Sequence, residues 1–303
     1  MPQAPTTSSN GDVVWCRIPG ALISEKGVVW LRESAHADRQ DLVKRILSGE
    51  YSKPFVIDDG ETRRLHFSLK HAQSEMRLDE PYALVYPHTQ KMMTFLLFLP
   101  EPQHVVIVGL GGGSLTKFCW RQLTRTCVTT VEVDQNVIDF GGLFDLPPSD
   151  ARMRIVHADA RDYFAQANAP ADVILLDGCD KLGTAPEFCD ELFYQNLRAS
   201  LRPQGILVTN MAGPRSSQHA HRRLIADTFE DRVILVDVRS CSNRLAFAFN
   251  DTRDFPNWWW AIHRADMLAQ QHGLDFQTFA ELLQRGYRRR KFQPSNGTKR
   301  TAQ

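Results

Sequence analysis

Residues 105–134 read VVIVGLGGGSLTKFCWRQLTRTCVTTVEVD, and this stretch constrains the fold more than any other. The β-branched run from Val105 to Val108 leads into Gly109, Gly111, Gly112 and Gly113, then a helical pattern, then a second strand reaching Glu132. A strand, a tight turn, a helix and an acid about 20 residues past the first glycine form the unit by which open α/β sheets hold a nucleoside cofactor. Gly109, Gly111 and Gly113 let the backbone turn sharply and approach a ligand. The Glu132 carboxylate can accept both hydroxyls of a ribose.

The flanking pattern extends this unit into a sheet. Strands are predicted at Val105–Gly109, Val128–Val133, Arg154–His157, Asp172–Asp177, Gly205–Asn210, Val233–Val238 and Leu245–Phe249. Helical patterns separate the first six, which predicts a doubly wound, mostly parallel sheet. Only the loop RSCSN joins the last two, so they are expected to pair antiparallel. Seven strands with the last antiparallel make a class I methyltransferase-like Rossmann sheet. A dinucleotide-binding sheet fits less well, because Ser114 stands where a GxGxxG motif needs its third glycine.

Around this core the chain divides into five segments. Residues 1–12, rich in Pro, Ser, Thr and Asn, are expected to be disordered. Residues 13–80 read as a small β-rich domain, from the runs VVW, GVVW, PFVI and RRLHFSL with one short helix in DRQDLVKRIL. Residues 81–250 hold the nucleoside-cofactor-binding α/β domain, opened by a helical stretch from Pro81 to Leu99 in which Met92 and Met93 are core residues. Residues 251–288 read as two amphipathic helices. Trp258, Trp259 and Trp260 cannot all face one way, so some pack on the sheet and others on a partner subunit. Residues 289–303 form a basic, disordered tail, read as solvated.

Composition narrows the function. With 303 residues, 43% of them hydrophobic, the chain can bury one large core and an accessory domain. A net charge of +1 offers no global field for nucleic acid or a membrane surface. The apolar run near Met92–Pro100 is too short to span a bilayer. Six scattered cysteines without a CxxC pair exclude a disulfide framework and metal-ligand spacing, and read as reduced thiols in a cytoplasm. No signal peptide is recognisable.

Ligands in such sheets bind outside the carboxyl ends of the strands. Besides Glu132, three acids stand there: Asp159 in HADARDY, and Asp177 and Asp180 in ILLDGCDKLG. Asp159 either accepts a hydrogen bond from an adenine amino group or caps the helix that starts beside it. Two carboxylates spaced as DxxD attract a cationic amine, and one can remove the proton that must leave before nitrogen attacks an electrophilic carbon. A sulfonium centre supplies such a carbon without further activation.

From about Gln73 to Met211 the chain resembles the polyamine aminopropyltransferase (spermidine synthase) family. The resemblance is carried by QSEMRLDEPY, the glycine loop, VEVD, HADA, LLDGCDKLGTAPEFCDELFY and LRPQGILVTN. It implies that Asp177 is the general base and that Asp180 helps hold the amine. It also implies that Gln73, Glu132, Asp159 and Ala160 line a decarboxylated S-adenosylmethionine site, with no metal. The acceptor would be a small amine such as putrescine, and the enzyme a homodimer or tetramer.

Three departures bear on activity. The family loop GGGDGG is here GLGGGS, with Gly112 where an aspartate binds the donor's primary amine. The D-SS-DP loop is here DGCDK, with Lys181 in place of proline. No YxEM element is recognisable, which leaves Tyr82, Tyr86 or Gln90 to substitute. An aspartate in the loop repels the carboxylate of intact S-adenosylmethionine, and glycine removes that discrimination. Two further readings therefore stand beside the first: an S-adenosylmethionine-dependent methyltransferase on the same fold, and a fold relative that serves as a binding module.

Overall fold

Short β-branched runs and amphipathic helices build two sheets in a computed structural model that describes residues 13–178, 188–238, 242–250 and 257–291. Residues 1–12 and the end of the basic tail, read above as disordered, lie outside the described residues.

The first sheet is antiparallel throughout, with β1 (Val13–Pro19), β2 (Val28–Ser34), β3 (Phe55–Asp58), β4 (Thr62–Ser68) and β5 (His71–Arg77) side by side in chain order. Four of these strands match the four β-like runs. The fifth, β5, reads HAQSEMR, too polar to announce a strand. Helix α1 (Arg39–Ser48) starts at Asp38, whose carboxylate accepts the Gln40 amide at 2.9 Å, and stops at Gly49 with φ of 79°. Its Leu42 and Ile46 cover one face of the sheet with Ile18, Val29, Leu31, Phe55 and Ile57. The other face, carrying Trp30, Val56, Leu65 and Met76, packs on the second unit.

That unit is a sheet of β6 (His104–Val108), β7 (Cys127–Glu132), β8 (Met153–His157), β9 (Ala171–Leu176), β10 (Leu201–Met211), β11 (Val233–Asp237) and β12 (Arg244–Phe249). Their spatial order is β11-β12-β10-β9-β6-β7-β8, with β12 antiparallel to both neighbours and the other pairings parallel. The seven mostly parallel strands and the antiparallel β12 are those read from the sequence. Alternate residues of each strand serve opposite layers. Val105, Ile107, Val173, Leu175, Ile206 and Val208 pack under α2 (Pro87–Met92), α3 (Ser114–Gln122), α8 (Trp258–His272) and α9 (Phe276–Lys291). Val106, Val108, Ile174, Leu176, Leu207 and Met211 meet α5 (Ala160–Ala165), α6 (Glu191–Ala199) and α7 (Arg215–Thr228). The short α4 (Gln135–Asp139) and the 3-10 turn Phe140–Phe144 face the first sheet.

Met92 and Met93 are fully buried, as core residues. Trp258 packs on Phe98 and Tyr287, whereas Trp259 and Trp260 are 58% and 50% exposed. No helix among the described residues is long and apolar enough to cross a membrane.

Candidate active site at the switch between β6 and β9

The chain order reverses between β6 and β9, so the crevice beyond their carboxyl ends is where an open sheet of this kind takes a ligand. The glycine loop leaves β6 there. Gly109, Gly111 and Gly113 take φ of 91°, 52° and 72°, in the left-handed region that side chains avoid. At Gly109 the loop also runs so close to the end of β9 that a Cβ would lie 2.6 Å from the Asp177 carbonyl oxygen. The Asp177 amide donates to the Val108 carbonyl at 3.0 Å, which locks the two strand ends together.

Glu132 ends β7 and fastens the loop from the other side. One carboxylate oxygen accepts the Leu110 amide at 2.8 Å and the other the Asp134 amide at 2.9 Å. Burial pushes its carboxyl above the ordinary glutamate range, and these amides pull it back. Each oxygen retains a second lone pair for a ligand hydroxyl. Asp159 caps α5, accepting the Arg161 amide at 2.8 Å, and its second oxygen pairs with the Arg161 guanidinium at 2.8 Å. That pairing holds its carboxyl below the usual range. Of its two sequence readings, the helix cap is formed. Ala160 follows as the first residue of α5, buried in the cluster with Val108 and Val131.

The first sheet roofs the loop through β5. Gln73 sits at an irregularity, between the register pairs Leu65–Ser74 and His66–Ala72. Such bulges re-aim side chains beside functional sites. Ser74, the next residue, turns onto the loop, its Oγ 3.4 Å from the Ser114 Oγ. At Gly112 a Cβ would lie 2.8 Å from both the Ser74 Oγ and the Phe144 ring. The space for an acidic side chain is thus closed as well as its residue replaced. Lys117, one turn into α3, is buried behind the loop, donating to the Phe144 carbonyl at 2.6 Å and touching the Met76 sulfur at 3.0 Å. Burial brings its ammonium down to about 8.

Asp177 is the only strand-end acid of the four sequence candidates, among the described residues, whose carboxylate is held by side chains from other elements. One oxygen, Oδ1, accepts the Asn210 side-chain amide of β10 at 2.7 Å. The other, Oδ2, lies 3.9 Å from Nε2 of His88. Burial pushes the Asp177 carboxyl above the ordinary aspartate range, against the opposing pulls of His88 and Asn210. After it, Gly178 is pinned beneath Phe188, where a Cβ would meet the ring at 2.4 Å. Asp180 and Lys181 lie outside the described residues.

His88 and Asn210 were not among the residues singled out by sequence. The available signal for His88 was its place one residue after Pro87, which occupies the first turn of α2. Thr89 and Gln90 tie that turn down through the Tyr86 and Leu84 carbonyls, each at 2.7 Å. Gln90 is therefore engaged in building α2. Tyr86 stands beside His88, ring centroids 5.6 Å apart, while Tyr82 stacks on Trp120. A carboxylate with one oxygen anchored by an amide and the other near an imidazole can take a proton from a nucleophile aligned against a nucleoside donor.

Comparisons with known proteins bear on the family and the fold. The family model for the spermine/spermidine synthase domain matches residues 88–266. A polyamine aminopropyltransferase from Chromobacterium violaceum is 33% identical over 230 residues, covering 75% of this chain and 88% of the relative. Among solved structures, a probable spermidine synthase from Corynebacterium glutamicum superposes with a TM-score of 0.59 at 17% identity, covering 77% of this chain and 92% of that one. Human methyltransferase-like protein 13 in complex with SAH superposes with a TM-score of 0.51 at 21% identity, covering 72% of this chain and 97% of that one.

Proposed function

This chain belongs to the spermine/spermidine synthase family, and from that premise we propose that it is an aminopropyltransferase acting on decarboxylated S-adenosylmethionine and a small amine such as putrescine. In this reading Glu132 takes the ribose hydroxyls and the glycine loop lies along the sulfonium side chain. The acceptor arrives as an ammonium, attracted by the Asp177 carboxylate. Asp177 removes a proton, the freed nitrogen attacks the carbon next to sulfur, the C–N bond forms, and the C–S pair stays with the departing thioether. Asp180 would help hold the amine, and Gln73, Asp159 and Ala160 would line the donor site. His88, beside Asp177 Oδ2, is added as a residue that meets the acceptor.

The observation that carries the reading is the state of Asp177: largely enclosed, anchored through Oδ1, with Oδ2 3.9 Å from His88 Nε2, and placed beside the loop at the switch point. A base so placed contributes about 10²- to 10⁴-fold to turnover. Asp177→Asn should therefore abolish measurable transfer while donor affinity changes less than about threefold. Near-wild-type turnover in that variant overturns the role. The exposed Trp259 and Trp260 support a homodimer or tetramer, and the scattered cysteines support a cytoplasmic location.

Gly112 favours one second reading, methyl transfer from intact S-adenosylmethionine, because no loop carboxylate opposes the donor's own. Calorimetric titration with the decarboxylated and intact compounds separates the two. Tighter binding of the decarboxylated form supports aminopropyl transfer, and equal or tighter binding of the intact form turns the assignment to methyl acceptors.

A further inference from the structure

The anchor on Asp177 is itself anchored. Asn210 is 2% exposed on β10 and gives its side-chain N–H to Asp177 Oδ1 at 2.7 Å. The Asn210 carbonyl oxygen in turn accepts the side-chain N–H of Asn243 at 3.1 Å. Asn243 stands immediately before β12, the strand that pairs with β10 through Asn210–Leu245 and Met211–Arg244. The two asparagines and the aspartate thus form one chain of hydrogen bonds across three neighbouring strand ends.

Its direction is fixed by chemistry. An ionised carboxylate only accepts, whereas an asparagine amide has a donating and an accepting end that exchange by rotation about its last bond. Asn243 donates to the accepting end, which leaves the donating end of Asn210 aimed at Asp177. A rotated Asn210 would set its carbonyl against the carboxylate, favouring the protonated acid and freeing the carboxyl to turn. We propose that Asn243 and Asn210 are a positioning relay that keeps Asp177 ionised and reserves its Oδ2 for the acceptor, an inference that rests on the reading of Asp177 as the base. Neither asparagine need touch substrate, since both act through Asp177. Among the described residues, the titratable side chain facing Asp177 is His88 of α2, and the neutral asparagines add orientation without charge.

The test is a double-mutant cycle read on Asp177 itself. Carboxyl ¹³C NMR titration of the full chain follows its protonation, with the resonance assigned by its loss in Asp177→Asn. Asn210→Leu should raise the titration midpoint by about one unit, since a hydrogen bond to the charged form is lost. Asn243→Ala should raise it by less, and the double variant no further than Asn210→Leu alone. Asn243→Leu, close in shape, neutral and unable to donate, should shift it as far as Asn243→Ala, whereas a packing role would leave the Leu variant near the wild type. In turnover, each single variant should lose about 10- to 100-fold in kcat with the KM for the donor within about twofold.

An unchanged midpoint in Asn243→Ala, or shifts that add in the double variant, overturns the relay. If Asn210→Leu does not fold, the two Asn243 variants decide alone: equal shifts support the relay, and a shift in Asn243→Ala only overturns it. Retained turnover in Asp177→Asn would instead remove the base reading, and the titration cycle reports on the relay whichever way that falls.

Discussion

Two enclosed charges of opposite sign, Asp177 nearly and Lys117 fully removed from water, define what single residues contribute here. Asp177 is raised by burial, so between the unfolded and folded midpoints the native state binds more protons than the unfolded chain. Stability then falls as pH rises through that window, and the cost remains at neutral pH. Asp177→Asn keeps an acceptor for Asn210 and removes the charge. It should melt about 2–4 °C above the wild type at neutral pH. The gap should close in acid below about pH 4, where the wild-type carboxyl is itself neutral. Calorimetric scans check this, and a gap independent of pH would show that the ionised carboxylate carries no penalty. Lys117 is the opposite case, an ammonium brought down to about 8 by burial from an ordinary 10.5. The unfolded chain binds more protons between those values, so stability rises with pH there. Compared with Lys117→Met in urea titrations, the wild type should gain up to about 3 kcal/mol from pH 8 to pH 10.5. None of the partners that set these energies was legible in the sequence. The acids Asp177 and Glu132 were, because the residue after a parallel strand has a fixed place in the fold. His88 and Asn210 were not, because their meeting with Asp177 depends on the packing of α2 and on the pairing of β9 with β10.

At the scale of elements, legibility followed burial. Apart from the edge strand β8, the strands of the second sheet are largely buried and read as apolar runs, and β6 to β12 fell within a few residues of their expected places. The polar β5 was missed as a strand, although it brings Gln73 and Ser74 to the site. The glycine loop was plain from its sequence, but the reason it lacks an acid was not. Ser74 and the Phe144 ring occupy the space beside Gly112, and both come from elements distant in sequence. Gly112 carries no left-handed φ, so the constraint there is steric alone. Gly112→Ala should therefore cost about 1–3 kcal/mol as an overpacked contact. Adding Ser74→Gly removes one of the two opposing atoms and should recover part of the loss. Urea midpoints of the single and double variants measure it, and a Gly112→Ala chain as stable as the wild type would mean that Phe144 moves aside freely. Installing the family aspartate thus requires more than one substitution, which makes the donor preference of this chain a property of β5 and the 3-10 turn as well as of the loop.

Over the whole molecule, the two sheets behave as one body at the site. A single apolar cluster joins Trp30, Leu65 and Met76 of the first sheet to Leu110, Phe140 and Phe144 of the second unit. The Arg32–Asp139 ion pair at 2.9 Å, largely shielded from water, and the bond from Arg63 to the Leu143 carbonyl cross the same boundary. Sequence alone separated the two units, since their strand patterns differ, but did not show how they dock. That docking is written in scattered single residues rather than in a period. Its consequence is that donor binding must stabilise both units, because β5 and the glycine loop face each other across the same small space. Trp15 and Trp30 report on the first sheet and Trp258 on the second. With fluorotryptophan incorporated and the resonances assigned by substitution, all three should lose their native signals in one transition. Donor at about 100 times its Kd adds about 2.7 kcal/mol to whatever unit binds it. If the sheets unfold together, that increment moves the three resonances by the same interval. Were the first sheet an independent unit, Trp15 and Trp30 would melt separately and ignore the donor while Trp258 followed it, and the roof over the loop would then have no part in holding the ligand.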